Sequence, residues 1–128
     1  MRALLDTHTF LWWNMDSPML STTAREFIGN GNNELFLSAA SAWEISIKYF
    51  RRRLALPITP DVYVPDRMAN QRIQPLAVLI SHAIRVYKLP EIHLNPFDRL
   101  LIAQCQLEDL PLLTADLTIA RYEINVIW

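Results

Sequence analysis

An α/β fold built on a parallel sheet covered on both faces is the fold class predicted for this 128-residue chain. Two observations predict it. Short apolar runs of strand length recur at Ala3-Leu4-Leu5, Glu34–Ser38, Leu112–Thr114 and Val126–Trp128, and helical stretches with capping residues lie between them. Strands separated by helices pair in parallel, and a run apolar at successive positions suits a strand buried on both faces. In such sheets ligands sit beyond the carboxyl ends of the strands.

The elements follow in order. Ala3-Leu4-Leu5 is a buried strand that ends at Asp6-Thr7. His8 to Asn14 is helical and is broken by Ser17-Pro18. Ser21-Thr22-Thr23 caps a helix through Phe27-Ile28, stopped by Gly29-Asn30-Gly31. The second strand, Glu34–Ser38, runs into a long helix from Ala39 to about Arg52. Pro57 and Pro60 mark a loop, and Asp61 to Asn70 is a short helix expected to be interrupted near Pro65. Arg72–Leu76 is a weak strand placed at an edge, because Pro75 cannot donate to a ladder. Leu79 to Tyr87 is helical. The next helix opens at Asn95 as cap, with Pro96 at its first position and Asp98 at its third. After Leu112–Thr114, a short turn at Leu117–Arg121 precedes the last strand.

The totals exclude several classes. A chain of this length forms one domain, residues 1–128, with room for a core. At 52% hydrophobic and 20% charged it is globular, and a net charge of −1 does not announce nucleic acid, although a local basic patch is allowed. Only Gly29 and Gly31 are present, so no glycine-rich phosphate loop is possible. The single cysteine, Cys105, excludes an internal disulfide and a Cys-built zinc site, and its apolar helix makes it a buried structural thiol. No segment has the ~20 apolar residues of a membrane span. The N-terminus lacks the apolar stretch of a signal peptide, which points to the cytoplasm.

Four acids stand where ligands are expected. Asp6 follows the first strand, Glu44 lies in the second turn of the helix leaving the second strand, Asp98 opens a helix, and Asp116 lies just past Leu112–Thr114. Each admits an ordinary role. Asp6, Asp98 and Asp116 can cap helices, and Glu44 can pair with Lys48 one turn on, a surface pair contributing ~0.3 kcal/mol. Convergence of all four is costly, since like charges raise one another's pKa and repel. A fold that gathers them holds a cation or keeps some protonated. All-oxygen ligation suits Mg²⁺ or Mn²⁺, and such a site fits phosphoryl chemistry. Thr7 and Thr114 are placed to hydrogen-bond the acids or their waters.

Four stretches resemble the acidic motifs of PIN-domain ribonucleases, most of all the VapC-type toxins of bacterial type II toxin–antitoxin modules. They are Leu4-Leu5-Asp6-Thr7-His8, Ser41-Ala42-Trp43-Glu44-Ile45, Pro96-Phe97-Asp98-Arg99 and Leu113-Thr114-Ala115-Asp116. The resemblance covers essentially the whole chain, and Pro96 to Gln104 is its most specific part. It implies a three-layer α/β/α sandwich around a mainly parallel sheet. It also implies Mg²⁺- or Mn²⁺-dependent RNA cleavage, with Asp6, Glu44, Asp98 and Asp116 as the metal-binding acids. The implied partners are a small antitoxin and a second copy of the chain. One departure matters: relatives often carry Asp where this chain has Asn95, which serves equally as a cap but brings no charge.

Other features are weighed beside these. Lys48 with Arg51-Arg52-Arg53 is a basic cluster able to guide an RNA backbone, or a solvated helix end. Arg99 suits a structural or substrate-positioning role. Phe10, Leu11, Trp12 and Trp13 exceed what one side of a short helix buries, so part of the group, Leu11, Trp12 and Trp13, is expected at a partner surface. His8, His82 and His93 are not at metal-ligand spacing, and His8 is expected to bond locally. Two rival readings remain: a non-catalytic PIN-like binding module with a degenerate site, and an RNA-processing nuclease outside toxin–antitoxin systems. A phosphatase of the haloacid-dehalogenase kind needs Asp two residues after Asp6, where His8 stands.

Overall fold

The computed structural model describes residues 1–128. Its strands are β1 (Arg2–Leu5), β2 (Glu34–Ser38), β3 (Ile73–Leu76), β4 (Leu112–Leu113) and β5 (Val126–Ile127). They form one sheet in the order β3-β2-β1-β4-β5, and every pairing is parallel. β1 lies at the centre, with Leu5 opposite Leu37 on one side and Leu113 on the other.

Side chains alternate across a strand, and here both faces are covered. Ala3, Leu5, Leu35, Leu37 and Leu113 join one apolar cluster, while Leu4 and Leu112 join another. Helices α1 (Thr7–Asn14), α2 (Thr22–Gly29) and α4 (Pro60–Gln71) bring Phe10, Leu11, Ala24, Ile28, Tyr63 and Val64 to the first cluster. Helix α6 (Pro96–Glu108) brings Leu101, Ile102 and Cys105 to the second, with α5 (Ile80–Arg85) packed on it. Helix α3 (Ala39–Phe50) contributes Ile45 to one and Ala40 to the other. The result is a three-layer α/β/α sandwich.

Two expectations are corrected. The helix over Pro65 is not interrupted but runs unbroken from Pro60 to Gln71. Pro65 forfeits one N–H and crowds the Asp61 carbonyl, yet this falls in the first turns, where buried Tyr63 and Val64 anchor the helix. The stretch predicted as one helix to Tyr87 ends at Arg85 and continues as a 3₁₀ turn, Val86–Lys88. β3 is an edge strand, as Pro75 requires, and Arg72 in a left-handed conformation (φ 56°) separates it from α4. Cys105 is buried, and burial pushes its thiol pKa well above the ordinary range, which keeps it inert. No helix is long and apolar enough to cross a membrane.

Candidate active site

The acids stand at the carboxyl edge of the sheet, and each is held by the element it begins. Asp6 continues the β1 ladder, its N–H donating to the Leu113 carbonyl at 3.1 Å. Its Oδ1 accepts from the Thr9 N–H at 2.7 Å and caps α1. The Thr9 hydroxyl donates to the Leu113 carbonyl at 2.9 Å, tying that cap to β4. Asn95 Oδ1 accepts from the N–H groups of Phe97 (2.9 Å) and Asp98 (3.3 Å), so Asp98 sits in the first turn of α6 as its spacing predicts. Asp116 caps the 3₁₀ helix Leu117–Tyr122, its Oδ1 accepting from the Thr118 N–H (3.1 Å) and hydroxyl (2.6 Å). Glu44 is buried in the second turn of α3, with Lys48 Nζ at 2.8 Å from its Oε2. With one partner inside the protein, this is no weak surface pair, because removing Lys48 would strand a buried charge.

His93 joins the site unforeseen. Its Nε2 lies 2.8 Å from Asp116 Oδ2 and 3.3 Å from Asp98 Oδ2, bridging two acids. The Asn95 N–H donates to its Nδ1 at 3.3 Å, which assigns the ring proton to Nε2, facing the carboxylates. The loop that carries it is tied down twice. The buried Tyr122 hydroxyl bonds both the N–H and the carbonyl of His93. Arg99 donates to four carbonyls, those of Pro90 (2.8 Å), His93 (3.2 Å), Val86 (3.2 Å) and Leu89 (3.1 Å). Arg99 is thus a structural residue that holds the His93 loop on α6 and touches no acid. The only signal in the sequence was the closeness of His93 to Asp98 within His93-Leu94-Asn95-Pro96-Phe97-Asp98.

The electrostatics follow from this crowding. Burial above all, against the opposing pull of His93 and with the added repulsion of Asp6, Glu44 and Asp116, raises Asp98 to a pKa of about 6 from an ordinary 3.8. All three other acids are therefore near enough to act on Asp98. Asp116 is lowered instead, chiefly by the Thr118 hydroxyl and then by His93. Asp6, Asp98, Asp116 and Thr114 line a small cleft of about 230 Å³, with His8 and Trp12 along its side. The donors suit a hard divalent cation in kind, being carboxylates without thiol. They are not drawn into a closed ligand set: no three His, Cys, Asp and Glu side chains form a ready-made metal-holding group. His93 between Asp98 and Asp116, and Lys48 on Glu44, hold the acids in this open arrangement.

Other predicted residues fall into place differently. The Thr7 hydroxyl donates to the Ser41 hydroxyl at 3.0 Å and joins α1 to α3 rather than bonding an acid. Thr114 Oγ1 accepts from the Asp116 N–H at 3.1 Å and so shapes the turn that presents it. Lys48 is committed to Glu44, while Arg51, Arg52 and Arg53 are exposed past the end of α3. That places Arg51, the C-cap of α3, about 10 Å along the helix from Glu44, at ~1.5 Å per residue. Leu11 is not at a partner surface: it is only 5% exposed and packs in the core with Phe10, because α1 turns that side to the sheet. Trp12 and Trp13 are half-buried against the same core, and Trp12 packs at a tilt on Trp128 (centroids 5.9 Å apart) and His8 (5.6 Å). His8 therefore packs on Trp12 in place of the local hydrogen bond expected of it.

Comparison with known proteins agrees with this architecture. The PIN domain family model matches residues 3–125. A curated relative, Ribonuclease VapC16 of Mycobacterium tuberculosis, is 43% identical over 58 residues. That match spans 45% of this chain and 41% of the relative, less than half of either protein. Among solved structures, VapBC2 from Rickettsia felis bound to a promoter DNA fragment superposes with a TM-score of 0.70 at 12% identity, covering 98% of this chain and 97% of that one. FitAcB from Neisseria gonorrhoeae superposes with a TM-score of 0.61 at 16% identity, covering 98% and 96%. At these identities the likeness is one of fold.

Proposed function

The chain belongs to the PIN-domain family, and on that premise we propose that it is a Mg²⁺- or Mn²⁺-dependent endoribonuclease, the toxin of a type II toxin–antitoxin pair. One observation carries the reading: Asp6, Glu44, Asp98 and Asp116, from four separate segments, crowd one edge of the sheet closely enough that three of them raise the pKa of the fourth. A structural arrangement would not gather charges that repel. Asp6, Asp98 and Asp116 would hold the cation, with Glu44 completing or orienting the site. When bound, the metal supplies a water of lowered pKa for attack on a phosphodiester. The chain's part is to fix the carboxylates through caps, to hold Glu44 against Lys48, and to offset Asp98 and Asp116 with the His93 Nε2–H.

The relatives support the rest. The similar protein of M. tuberculosis is named a ribonuclease, and a Klebsiella pneumoniae structure similar in fold is a toxin–antitoxin complex. An antitoxin that covers the acids is the proposed partner, with half-buried Trp12, which lines the cleft, and Trp13 next to it in α1 as contact residues. A homodimer, an RNA path past Arg51–Arg53, a cytoplasmic location and a single domain over 1–128 belong to the same proposal. Purified protein with Mn²⁺ or Mg²⁺ is expected to cleave RNA. Asp6→Asn retains a capping residue and should lose more than about a hundredfold in rate. Cleavage that survives both EDTA and Asp6→Asn would overturn the mechanism. The open arrangement of the acids and the missing charge at Asn95 favour a second reading, a PIN-like binding module with a degenerate site. Calorimetry showing no Mn²⁺ binding alongside retained partner binding would establish that one.

A further inference from the structure

We infer that Trp43 and Phe97 form a stacking platform for a nucleobase of single-stranded RNA at the rim of the carboxylate edge, an inference that rests on the ribonuclease reading. Trp43 immediately precedes Glu44 on α3, and Phe97 immediately precedes Asp98 on α6. Consecutive helical residues point about 100° apart, so a side chain next to an inward acid lies on the flank beside it. The two rings meet edge to face, with centroids 5.2 Å apart and planes at 72°. Phe97 thereby braces the indole on one side, and Trp43 remains 61% exposed.

An exposed tryptophan alone would call for no explanation. This one differs in its setting. Its helical neighbours Ala39, Ala40 and Ser46 are small, and the ring stays 61% exposed with Ile47 at i+4. No cation occupies its face, since the cation–ring contacts of the molecule lie at Phe36, Tyr63 and Tyr87. The open face is therefore a rigid aromatic surface one residue from two of the four acids. Proteins that bind single strands pair an anionic-backbone path with aromatic platforms that accept any base. A base stacked on Trp43 would set the register of the neighbouring phosphodiester relative to Asp98 and Glu44.

Binding measured in EDTA tests this without cleavage. A short fluorescein-labelled single-stranded oligoribonucleotide is titrated with the full chain and followed by anisotropy. Trp43→Leu keeps the apolar bulk but removes the π-face, and should weaken binding about tenfold; Trp43→Phe should stay within about threefold. With the same oligomer carrying abasic sites, wild type and Trp43→Leu should bind alike. Equal binding of the intact oligomer by wild type and Trp43→Leu would overturn the platform. So would a change of oligomeric state in Trp43→Leu by light scattering, which would make the ring a contact between copies. A separate Mn²⁺ arm assays RNA cleavage by wild type. Cleavage there with no effect of Trp43→Leu condemns the platform alone, whereas neither binding nor cleavage condemns the ribonuclease reading with it.

Discussion

The two edges of the sheet share the same five strands but have opposite chemistry. At the carboxyl edge, α1, α3, α6 and the 3₁₀ helix begin, with Asp6 and Asp116 at N-caps, Asp98 in a first turn and Glu44 one turn further along α3. At the amino edge, helices end. There Arg72, Asp109 and Glu123, all at left-handed φ (56°, 53° and 62°), close the helices that lead into β3, β4 and β5. Helix starts carry partial positive charge and helix ends partial negative charge. Parallel βα alternation therefore makes one edge favourable to carboxylates and the other unfavourable, so that Asp109 and Glu123 stand there against the helix dipole. What the difference teaches is that the capping role of each acid and its role in a shared site do not compete. Asp6, Asp98 and Asp116 are tolerated together because each sits where a helix begins.

The largest effect on stability is expected where the carboxyl edge depends on one residue. Arg99→Met removes four hydrogen bonds from a charged donor to the 86–93 segment, and should cost about 2–3 kcal/mol by denaturant unfolding. It should also speed amide exchange at His93 and its neighbours. A loss below about 0.5 kcal/mol with unchanged exchange would show that Tyr122 holds the loop unaided.

Arg99 also marks where the sequence stopped being legible. The strands could be read because apolar residues at consecutive positions, as in Leu4-Leu5 and Leu112-Leu113, have only one explanation in a covered sheet. The acids could be read because each sits next to a strand end or a cap. The partners of Arg99 could not, since four backbone carbonyls leave no trace in residue identity. His93 was missed for the same reason: its place depends on the path of an aperiodic loop fixed by Tyr122, distant in sequence. Leu11 was assigned outward because the crowding of α1 gives no phase. Only packing on the sheet decides which of its apolar residues turn inward.

A smaller and pH-dependent effect separates charge from shape at the carboxyl edge. The folded pKa of Asp98 is raised to about 6 from 3.8, so the fold disfavours its ionised form. Stability contributed by protonated Asp98 is full below about pH 4 and is lost as pH rises through 6. Asp98→Asn cannot ionise. Without metal, it should be more stable than wild type at pH 8 by about 2 kcal/mol, the full shift being discounted for a side chain one-quarter exposed. The gap should close by pH 4. An Asp98→Asn variant no more stable than wild type at pH 8 would mean that the His93 Nε2–H contact offsets the crowding of the acids.

The amino edge should respond in the opposite functional sense, and least. Asp109 ends α6 in a left-handed conformation, while the Leu110 N–H bonds the Cys105 carbonyl at 3.0 Å. This is a helix stop in which glycine is usual, and the accompanying apolar contact is present because Leu110 and Cys105 share a buried cluster. Only two glycines occur in the chain, so Asp109 bears the strain of a Cβ at positive φ. Its carboxylate also faces the negative end of α6. Asp109→Gly relieves both, offset by the greater freedom of glycine in the unfolded chain. The expected gain is about 0.5–1 kcal/mol, a rise of a few degrees in Tm, with RNA cleavage unchanged. Stabilising Asp98 by substitution removes a carboxylate from the site; stabilising Asp109 touches nothing there. If Asp109→Gly instead lowers Tm, the exposed carboxylate is making a contact that offsets its strain, and the amino edge is not the passive side of the sheet.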